Sequence, residues 1–375
     1  MEFEKYRLSQ LLTIKNGRDY KSLGQGRVPV FGSGGYMCSV DSYLYDRPSV
    51  LLPRKGTLSN IQYYNKGPFW TVDTCYYTIV NENLVDSYYV YRYLRNLNLS
   101  GLDTGASIPS MTQKTYNGIK ILLPNLSIQH RIASILSTYD SLIENNTKRI
   151  RLLEKMAENL YKEWFSYGKI IKGGTIVRLT DIIQITRGLS YSTAEIDCEE
   201  GLDLINLKNI QAYGGFRYDG TKKFCGKYKN EQIVCEGDLV MGVTDMTQDR
   251  RTVGSVALIP KTDKLSVISA DLIKISSSIS SVFLFGMFKY GNVSKYVAQF
   301  ANGANVLHLR PKALHNIKVL LPNPNLINKY VDIVSPMVAE MNKLYVLSEK
   351  LARQRDLLLP RLMSGKLEVK EELLE

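Results

Sequence analysis

Gly118–Asn125, GIKILLPN, recurs almost unchanged as NIKVLLPN at Asn316–Asn323. In both places an apolar run typical of a strand ends at Leu-Pro, and a long amphipathic segment follows. The copies stand 198 residues apart, and four further pairs share this offset: Asp73/Asp271, Gly105/Gly303, Ala106/Ala304 and Lys114/Lys312. The chain therefore contains two similar modules, each of which ends in a strand that leads into a helix.

The start of each module repeats as well, at a different offset. Tyr6–Tyr20 (YRLSQLLTIKNGRDY) aligns with Val177–Tyr191 (VRLTDIIQITRGLSY), which places Arg7 opposite Arg178, 171 residues later. The second copy thus carries 27 extra residues in its first half, the difference between the two offsets. Two similar but non-identical modules suit a partner with two similar but non-identical parts.

Composition narrows the kind of partner. The chain has 48 Lys and Arg against 36 Asp and Glu, and its net charge of +12 favours a polyanion, with nucleic acid as the first candidate. No run of 18 apolar residues and no signal peptide are visible, so we expect a cytoplasmic protein. The five cysteines lack a C-x-x-C pair and have only three histidines to join them, which favours reduced, buried thiols over a metal site.

Each module is predicted to be α+β, with short strands separated by turns rich in Gly, Pro and Asn. In the first module we expect a helix at Val85–Leu97 and strands at Ser49–Leu52, Ile61–Tyr64, Thr71–Val80 and Gly118–Leu123. In the second we expect strands at Ile233–Val234, Leu239–Val243, Val253–Ile259, Ser266–Ile275 and Ile317–Leu321.

After each module the apolar spacing changes to three and four, as in an amphipathic helix. The first stripe is Ile132, Ile135, Tyr139, Leu142, Ile150, Leu153, Ala157, Leu160 and Trp164, with Asn146 in the seam. The second is Tyr330, Val334, Met337, Met341, Leu344, Leu351, Leu358 and Leu362, with Pro336 predicted to start or kink its helix. A helix over Thr138–Phe165 would be about 28 residues and ~42 Å long.

These stripes predict an antiparallel pair of long helices that holds two globular modules apart, with a pseudo-twofold internal repeat. The alternative is an ordinary bundle helix within a compact domain. The predicted ranges are 1–124 and 171–322 for the modules, 125–170 and 323–365 for the helical connectors, and 366–375 for the tail. Gly168 and Gly365 end the two helices at matching positions, so the tail is expected to return to the first module.

Three segments carry a family resemblance. Leu122–Phe165, Arg355–Val369, and Arg54-Lys55-Gly56-Thr57 followed by Pro68-Phe69-Trp70 and Asp73-Thr74 resemble the specificity subunit of type I restriction–modification systems. The resemblance covers nearly the whole chain. One departure is that Gln129-His130-Arg131 of the first copy is replaced by Ile327-Asn328-Lys329 in the second, so the two helix starts need not contact partners equivalently.

The resemblance implies a subunit with no catalytic chemistry of its own. In that family two target-recognition domains each read one half of a split sequence in double-stranded DNA. The paired helices set the gap and dock two methyltransferase (modification) subunits, and motor-nuclease (restriction) subunits can join. The methyltransferases use S-adenosylmethionine on adenine N6, so no cofactor is expected in this chain. A ~42 Å helix would place half-site centres roughly a dozen base pairs apart.

DNA reading requires donors and acceptors on loops, with Lys and Arg beside them to bind phosphates. In the first module the candidates are Arg54, Lys55, Thr57, Ser59 and Asn60, and then Ser107, Ser110, Thr112, Gln113 and Lys114 before the last strand. In the second they are Thr244, Asp245, Gln248, Arg250 and Arg251, and then Asn302, Asn305, His308, Arg310 and Lys312. Either group could instead be plain surface. The loop before the last strand occupies the same place in both copies, which strengthens its candidacy.

Two other classes of function stay open from the residues alone. Phe31–Tyr36 (FGSGGY) superficially resembles a loop that binds S-adenosylmethionine, but no helix-forming run follows it, so a turn in a recognition module is favoured over a catalytic DNA adenine methyltransferase. The chain has no G-x-x-x-x-G-K-[ST] motif of a phosphate-binding motor. A structural adaptor that does not bind DNA is the remaining alternative.

Overall fold

The computed structural model of the chain describes residues 2–97, 99, 102, 109–165, 174–196, 198–262 and 264–369. The chain divides into two compact units. The first unit is Met1–Asn145 with Ser348–Glu375, and the second unit is Asn146–Leu347. Each unit therefore contains one copy of the repeat and part of each long helix. The five ranges predicted from the sequence treat the helices as separate connectors, and they stay a prediction.

The first unit is built on a four-stranded antiparallel sheet. Its strands are β1 Glu4–Arg7, β2 Leu12–Lys15, β3 Gln25–Gly32, β4 Gly35–Val40, β5 Ser49–Pro53, β6 Gln62–Tyr64, β7 Trp70–Thr71, β8 Cys75–Val80 and β9 Lys120–Leu123. Its short helices are α1 Leu8–Leu11, α2 Ser87–Asn96 and α3 Gln113–Asn117. The main sheet has the order β2-β8-β5-β6, a second sheet has the order β4-β3-β7, and β1 pairs with β9.

The first long helix, α4, is Leu126–Phe165, and the second unit follows it. The strands of that unit are β10 Thr175–Arg178, β11 Gln184–Arg187, β12 Leu202–Ile205, β13 Lys222–Phe224, β14 Ile233–Val234, β15 Leu239–Gly242, β16 Thr244–Asp245, β17 Val256–Leu258, β18 Ser266–Ile268, β19 Leu272–Ser276, β20 Leu307–His308 and β21 Lys318–Leu321. Its helices are α5 Leu179–Ile182, α6 Ser281–Lys289 and α7 Val293–Ala298, before the second long helix α8, Pro324–Met363. Short 3-10 helices lie at Thr193–Glu195, Leu207–Asn209, Tyr218–Gly220, Asn230–Gln232 and Pro311–Asn316.

Strand order confirms the internal repeat. The main sheet of the second unit has the order β11-β19-β15-β17, which matches β2-β8-β5-β6, and β10 pairs with β21 as β1 pairs with β9. Gly17 and Gly188, which align in the sequence repeat, are both glycine for the same steric reason. A Cβ on Gly17 would lie 2.1 Å from the carbonyl oxygen of Val72, and one on Gly188 would lie 2.0 Å from that of Ser269. No side chain fits at either position.

Both long helices have 40 residues, so the prediction of about 28 was wrong for the first. α4 begins at Leu126 because Ile128, Ile132 and Leu136 continue its apolar face into the core of the first unit. At ~1.5 Å per residue each helix is ~60 Å long. The spacing between half-sites was deduced from a helix of ~42 Å, so that spacing no longer follows. Pro336 neither starts nor ends α8.

Side-chain contacts within each unit confirm that the helices pair in antiparallel fashion. In the second unit the rings of Tyr161 and Tyr330 lie 5.7 Å apart, and Arg149 Nη2 lies 2.9 Å from Glu340 Oε1. In the first unit Arg355 Nη1 of α8 donates to Asp140 Oδ1 of α4 at 2.6 Å.

The predicted stripe of α8 is buried or half-buried throughout, and Asn146 of α4 is buried as expected. Two positions of the first stripe were wrong, because Ile135 and Leu142 are exposed. The buried face of α4 thus differs from the predicted stripe at these two positions.

The end of α8 agrees with the expected return of the tail. Gly365 adopts a left-handed φ of 71°, and the amide of Leu367 donates to the carbonyl of Arg361 at 3.1 Å, which closes the helix. Val369 then packs against the core of the first unit. The matching turn at Gly168 lies outside the described residues.

Several local predictions needed correction. The predicted strands at Thr71–Val80 and Ser266–Ile275 are each interrupted, giving β7 with β8 and β18 with β19. Cys198 and Cys225 form a disulfide with a Cα–Cα distance of 6.6 Å, so the expectation of five free thiols was wrong for this pair. Of the three free cysteines, Cys75 alone is buried, since Cys38 is half-buried and Cys235 is exposed.

Candidate nucleic-acid interface

In the first unit the two predicted clusters lie side by side. Lys55 forms an isolated antiparallel bridge with Ser110. The amide of Gly56 donates to the carbonyl of Pro109 at 2.9 Å, and the amide of Met111 donates to the carbonyl of Arg54 at 3.0 Å. The loop after β5 and the segment before α3 thus form one surface.

A third element, which the sequence reading had not included, joins this surface. The glycine-rich run after Phe31 is the turn of the β3–β4 hairpin, and side chains of the neighbouring loop bind that turn. Asn60 Nδ2 donates to the carbonyl of Ser33 at 2.7 Å, and Gln62 Nε2 donates to the carbonyl of Gly32 at 2.9 Å. Asn60 therefore serves to position the turn.

The second unit brings its two clusters together in the same way. Thr244 and Asp245 of β16 pair with His308 and Leu307 of β20. Gln248 Nε2 then donates to the carbonyl of Ala304 at 2.9 Å, which ties the loop after β16 to the loop before β20. His308 is the repeat counterpart of Ser110, since 198 residues separate them. Two loops therefore adjoin at equivalent positions in each unit.

Thr244 and Asp245 are buried, with 5% and 2% exposed, and their polar atoms are used within the unit. Thr244 Oγ1 donates to Asp271 Oδ1 at 3.0 Å. Asp245 accepts from the amides of Thr247 at 2.8 Å and Thr252 at 2.7 Å. Burial opposes ionisation of Asp245, but these hydrogen bonds outweigh it and lower its pKa to about 2. Both residues therefore order the loop and do not belong to the proposed contact surface.

Replacing Asp245 with Asn is expected to destabilise the second unit by about 2 kcal/mol at pH 7, because the carboxylate orders the loop. The pKa of Asp245 is lower in the folded state than its ordinary value of 3.8. Its stabilising contribution is therefore complete above pH ~4 and is lost as pH falls towards ~2. Urea unfolding of both proteins at several pH values checks this. A difference between wild type and variant that stays constant down to pH 2 would contradict the assignment.

The remaining candidate residues differ in the exposure of their side chains and in the contacts that they make within their unit. Gln113 Nε2 donates to Asn16 Oδ1 at 3.1 Å, Thr112 caps α3, and Arg251 pairs with Asp249. Arg54 is half-buried and reaches the carbonyl of Asp73. Ser107 lies outside the described residues. The exposed candidates are Lys55, Thr57, Ser59, Thr112 and Lys114 in the first unit, and Gln248, Arg250, Arg251, Asn302, Asn305, His308, Arg310 and Lys312 in the second.

Two other features are absent from the described part of the chain. No cluster of three or more His, Cys, Asp or Glu residues there has the arrangement to bind a metal ion. Among the same residues, no helix combines the length and apolar character needed to cross a membrane.

Comparison with known proteins supplies independent information. Residues 1–155 match the family described as the type I restriction modification DNA specificity domain. The MjaVIII type I restriction enzyme specificity subunit of Methanocaldococcus jannaschii is 25% identical over 266 residues, covering 65% of this chain and 61% of that protein. The MjaIX specificity subunit of the same organism is 22% identical over 359 residues, covering 88% of this chain and 79% of that protein. The chain thus spans less than two thirds of the first of these relatives.

A solved structure agrees at the level of the fold. The type I restriction–modification S subunit from M. genitalium superposes with a TM-score of 0.69 at 15% identity, covering 96% of each chain. The common fold, the domain match and the two relatives agree with the repeat seen in the strand order. Residues 1–155 thus match the type I restriction modification DNA specificity domain, and the chain has the fold of the M. genitalium S subunit.

Proposed function

We propose that this chain is the sequence-specific DNA-recognition subunit of a type I restriction–modification complex and reads a bipartite target. One observation carries the proposal. In each unit two polar loops adjoin at the same position of a shared framework, joined through Lys55 and Ser110 in one and through Thr244 and His308 in the other. A repeated framework with different side chains suits two half-sites of different sequence.

The exposed side chains of these loops fall into two chemical classes. Lys55, Lys114, Arg250 and Lys312 bring positive charge that suits phosphates, which position the protein on a duplex. Thr57, Asn305 and His308 offer the donors and acceptors needed to read base edges in the major groove. Both classes occur in both units, so each unit has the means to bind and read one half-site.

In the proposed mechanism the chain acts by placing its partner subunits at defined positions on the DNA. With both half-sites bound, two methyltransferase subunits docked on the long helices would reach adenines that flip out of the duplex to react. The partners would bind S-adenosylmethionine, and motor-nuclease subunits would join the assembly in the cytoplasm. The chain itself would position its partners and take no part in the chemistry.

Exposed apolar residues on the helices support this docking role. Leu152 and Met156 of α4 are 64% and 53% exposed and stand four residues apart, so they share one face of the helix. Large apolar side chains are enriched where proteins bind one another.

Replacing both Leu152 and Met156 with Glu is expected to weaken the methyltransferase complex at least ten-fold and leave the chain folded, because both side chains are exposed. Size-exclusion chromatography with the purified methyltransferase measures this. As a control, Lys148 and Lys350 are changed to Glu, which alters helix charge and keeps both apolar residues. Equal complex formation by the apolar variant and wild type would remove this face from the docking site.

A single-molecule methylome tests the function as a whole. Cells expressing the chain with its neighbouring methyltransferase are compared with cells expressing the methyltransferase alone. A split motif of methylated adenines that requires the chain is the expected result. Asn305→Ala with His308→Ala should relax one half of the motif, and Lys55→Ala with Thr57→Ala the other, at about 1–3 kcal/mol per lost base contact. No chain-dependent methylation with an active methyltransferase would overturn the proposal.

Two binding measurements separate the other classes of function. Titration of S-adenosylmethionine into the isolated chain should give no binding, whereas a catalytic methyltransferase would bind it. DNA affinity should fall steeply with salt, because bound phosphates release counterions. A structural adaptor would bind DNA weakly at every salt concentration.

A further inference from the structure

The second unit contains a cavity of about 820 Å³ that extends from the recognition loop after β16 to the long helix α4. One wall is the α4 face that carries Arg151, Glu154 and Glu158. The rest of the lining comes from the end of α6, the loop after it and α7 (residues 289–298), together with Tyr213 and the segment 249–255. The cavity therefore joins the long helix to the loop that carries Arg250.

Backbone strain is concentrated around this cavity. Among the described residues three non-glycine positions have positive φ, namely Tyr213 at 65°, Arg250 at 52° and Asn292 at 62°, and all three line it. The amide of Tyr213 donates to the carbonyl of Arg251 at 2.8 Å, which holds these two parts of the lining together. Left-handed backbone is uncommon at residues such as Tyr213 and Arg250, whereas asparagine adopts it more readily.

The charges of the cavity do not balance. Six of its lining residues are Lys or Arg and three are Asp or Glu. Glu154 pairs with Lys289, and Glu158 pairs with Lys155 at 2.9 Å and Lys162 at 2.5 Å. Hydrogen bonds from Lys162 and Lys155 lower the pKa of Glu158, so it stays ionised.

The third carboxylate, Asp249, pairs with Arg251, which does not line the cavity. Within the described part of the chain, no ion pair or side-chain hydrogen bond engages Arg151, Arg250 or Lys295. These three cations are exposed side chains, and they line one cavity that is partly open to solvent.

A buried hydroxyl points to a ligand independently of charge. Ser294 lines the cavity and is 8% exposed, and its Oγ has no hydrogen-bond partner among the described residues. A buried polar atom without a partner costs free energy, so such atoms are rare in folded proteins. A ligand oxygen would satisfy it.

We infer that this cavity is a phosphate-binding site, in which Arg151, Arg250 and Lys295 hold the anion and Ser294 donates a hydrogen bond to it. Guanidinium and ammonium groups with a hydroxyl are the donors that phosphate oxygens prefer. The phosphate could be part of the DNA backbone beside a half-site or of a free phosphoanion. Only the first source rests on the proposed function.

The test uses the full chain and the double variant R151Q/K295Q. Its matched control is K227Q/K229Q, which removes the same charge from residues that line no part of the cavity. One assay measures affinity for a random-sequence duplex over a range of salt concentrations. The second measures pyrophosphate binding by calorimetry, and thermal melting confirms that the variants fold.

For a DNA phosphate, the slope of log K against log salt should fall by about 1 in R151Q/K295Q alone, equally for every sequence, because one phosphate contact is lost. For a free phosphoanion, duplex binding should be unchanged and pyrophosphate binding should be lost in that variant. S294A should bind the anion more weakly with no loss of melting temperature. If R151Q/K295Q matches K227Q/K229Q in both assays, the inference is wrong. A chain that binds pyrophosphate but no DNA would overturn the proposed function and keep this site.

Discussion

Replacing Asp140 with Ala is expected to lower the free energy of unfolding of the first unit by about 3 kcal/mol. Asp140 lies on α4, and its carboxylate accepts hydrogen bonds from Tyr88 and Arg92 of α2 and from Arg355 of α8. Arg92 is 3% exposed and would be left almost without water or counter-charge, whereas Arg355, 18% exposed, would keep only the carboxylate of Asp356. Burial and the bond to Asp140 raise the pKa of Tyr88, which therefore remains a donor at neutral pH.

The control is Asp356→Ala, which removes a second carboxylate that binds Arg355. Asp356 is 60% exposed, so its loss should cost only about 0–1 kcal/mol. Urea unfolding gives both free energies. Limited proteolysis should also show faster cleavage of the C-terminal end of α8 in the Asp140 variant, because Arg355 no longer binds α4. Equal stability of the two variants would show that the network does not hold the helices to the first unit.

The repeat was predictable because strands leave a strong local pattern. Ile233–Val234 is a strand as predicted, and β21 differs from its predicted range by one residue. Hairpin β3–β4 was missed because most of its residues are partly exposed and its apolar residues do not alternate cleanly. Helix α6 was missed for the opposite reason. Its sequence SVFLFGMFK is apolar on every side and has no periodicity that distinguishes a buried helix from a strand.

In the candidate site, the direction in which each side chain points could not be predicted from the sequence. The two groups of polar residues in each module adjoin in the structure, which their sequence positions did not predict, and their contact with DNA stays a prediction. Thr244 and Asp245 nevertheless face inward, because the loop needs acceptors for its own amides. Residue type alone cannot separate a side chain that orders a loop from one that projects from it. That distinction depends on the backbone path, which tertiary contacts determine.

Replacing Tyr330 with Ala is expected to cost the second unit about 3–5 kcal/mol. Tyr330 is fully buried on α8, and its ring lies 5.4 Å from Phe165 and 5.7 Å from Tyr161 of α4, and 6.2 Å from Phe283 of α6. These rings join both long helices to the second unit. Truncation would leave a cavity where they meet.

Tyr330→Phe should behave in the opposite way, although it changes a single atom. The hydroxyl of Tyr330 is buried and has no hydrogen-bond partner among the described residues, so its removal should be neutral or slightly stabilising. The matched control is Tyr116→Phe in the first unit, where the hydroxyl donates to the carbonyl of Pro53 at 2.8 Å. Its loss leaves that buried carbonyl without this donor and should cost about 1 kcal/mol. Thermal and urea unfolding should show the largest loss of stability for Tyr330→Ala, a smaller loss for Tyr116→Phe and the smallest for Tyr330→Phe. A cost of 1 kcal/mol or more for Tyr330→Phe would mean that the hydroxyl binds a buried water between the helices, and that this junction is held by polar contacts as well as by packing.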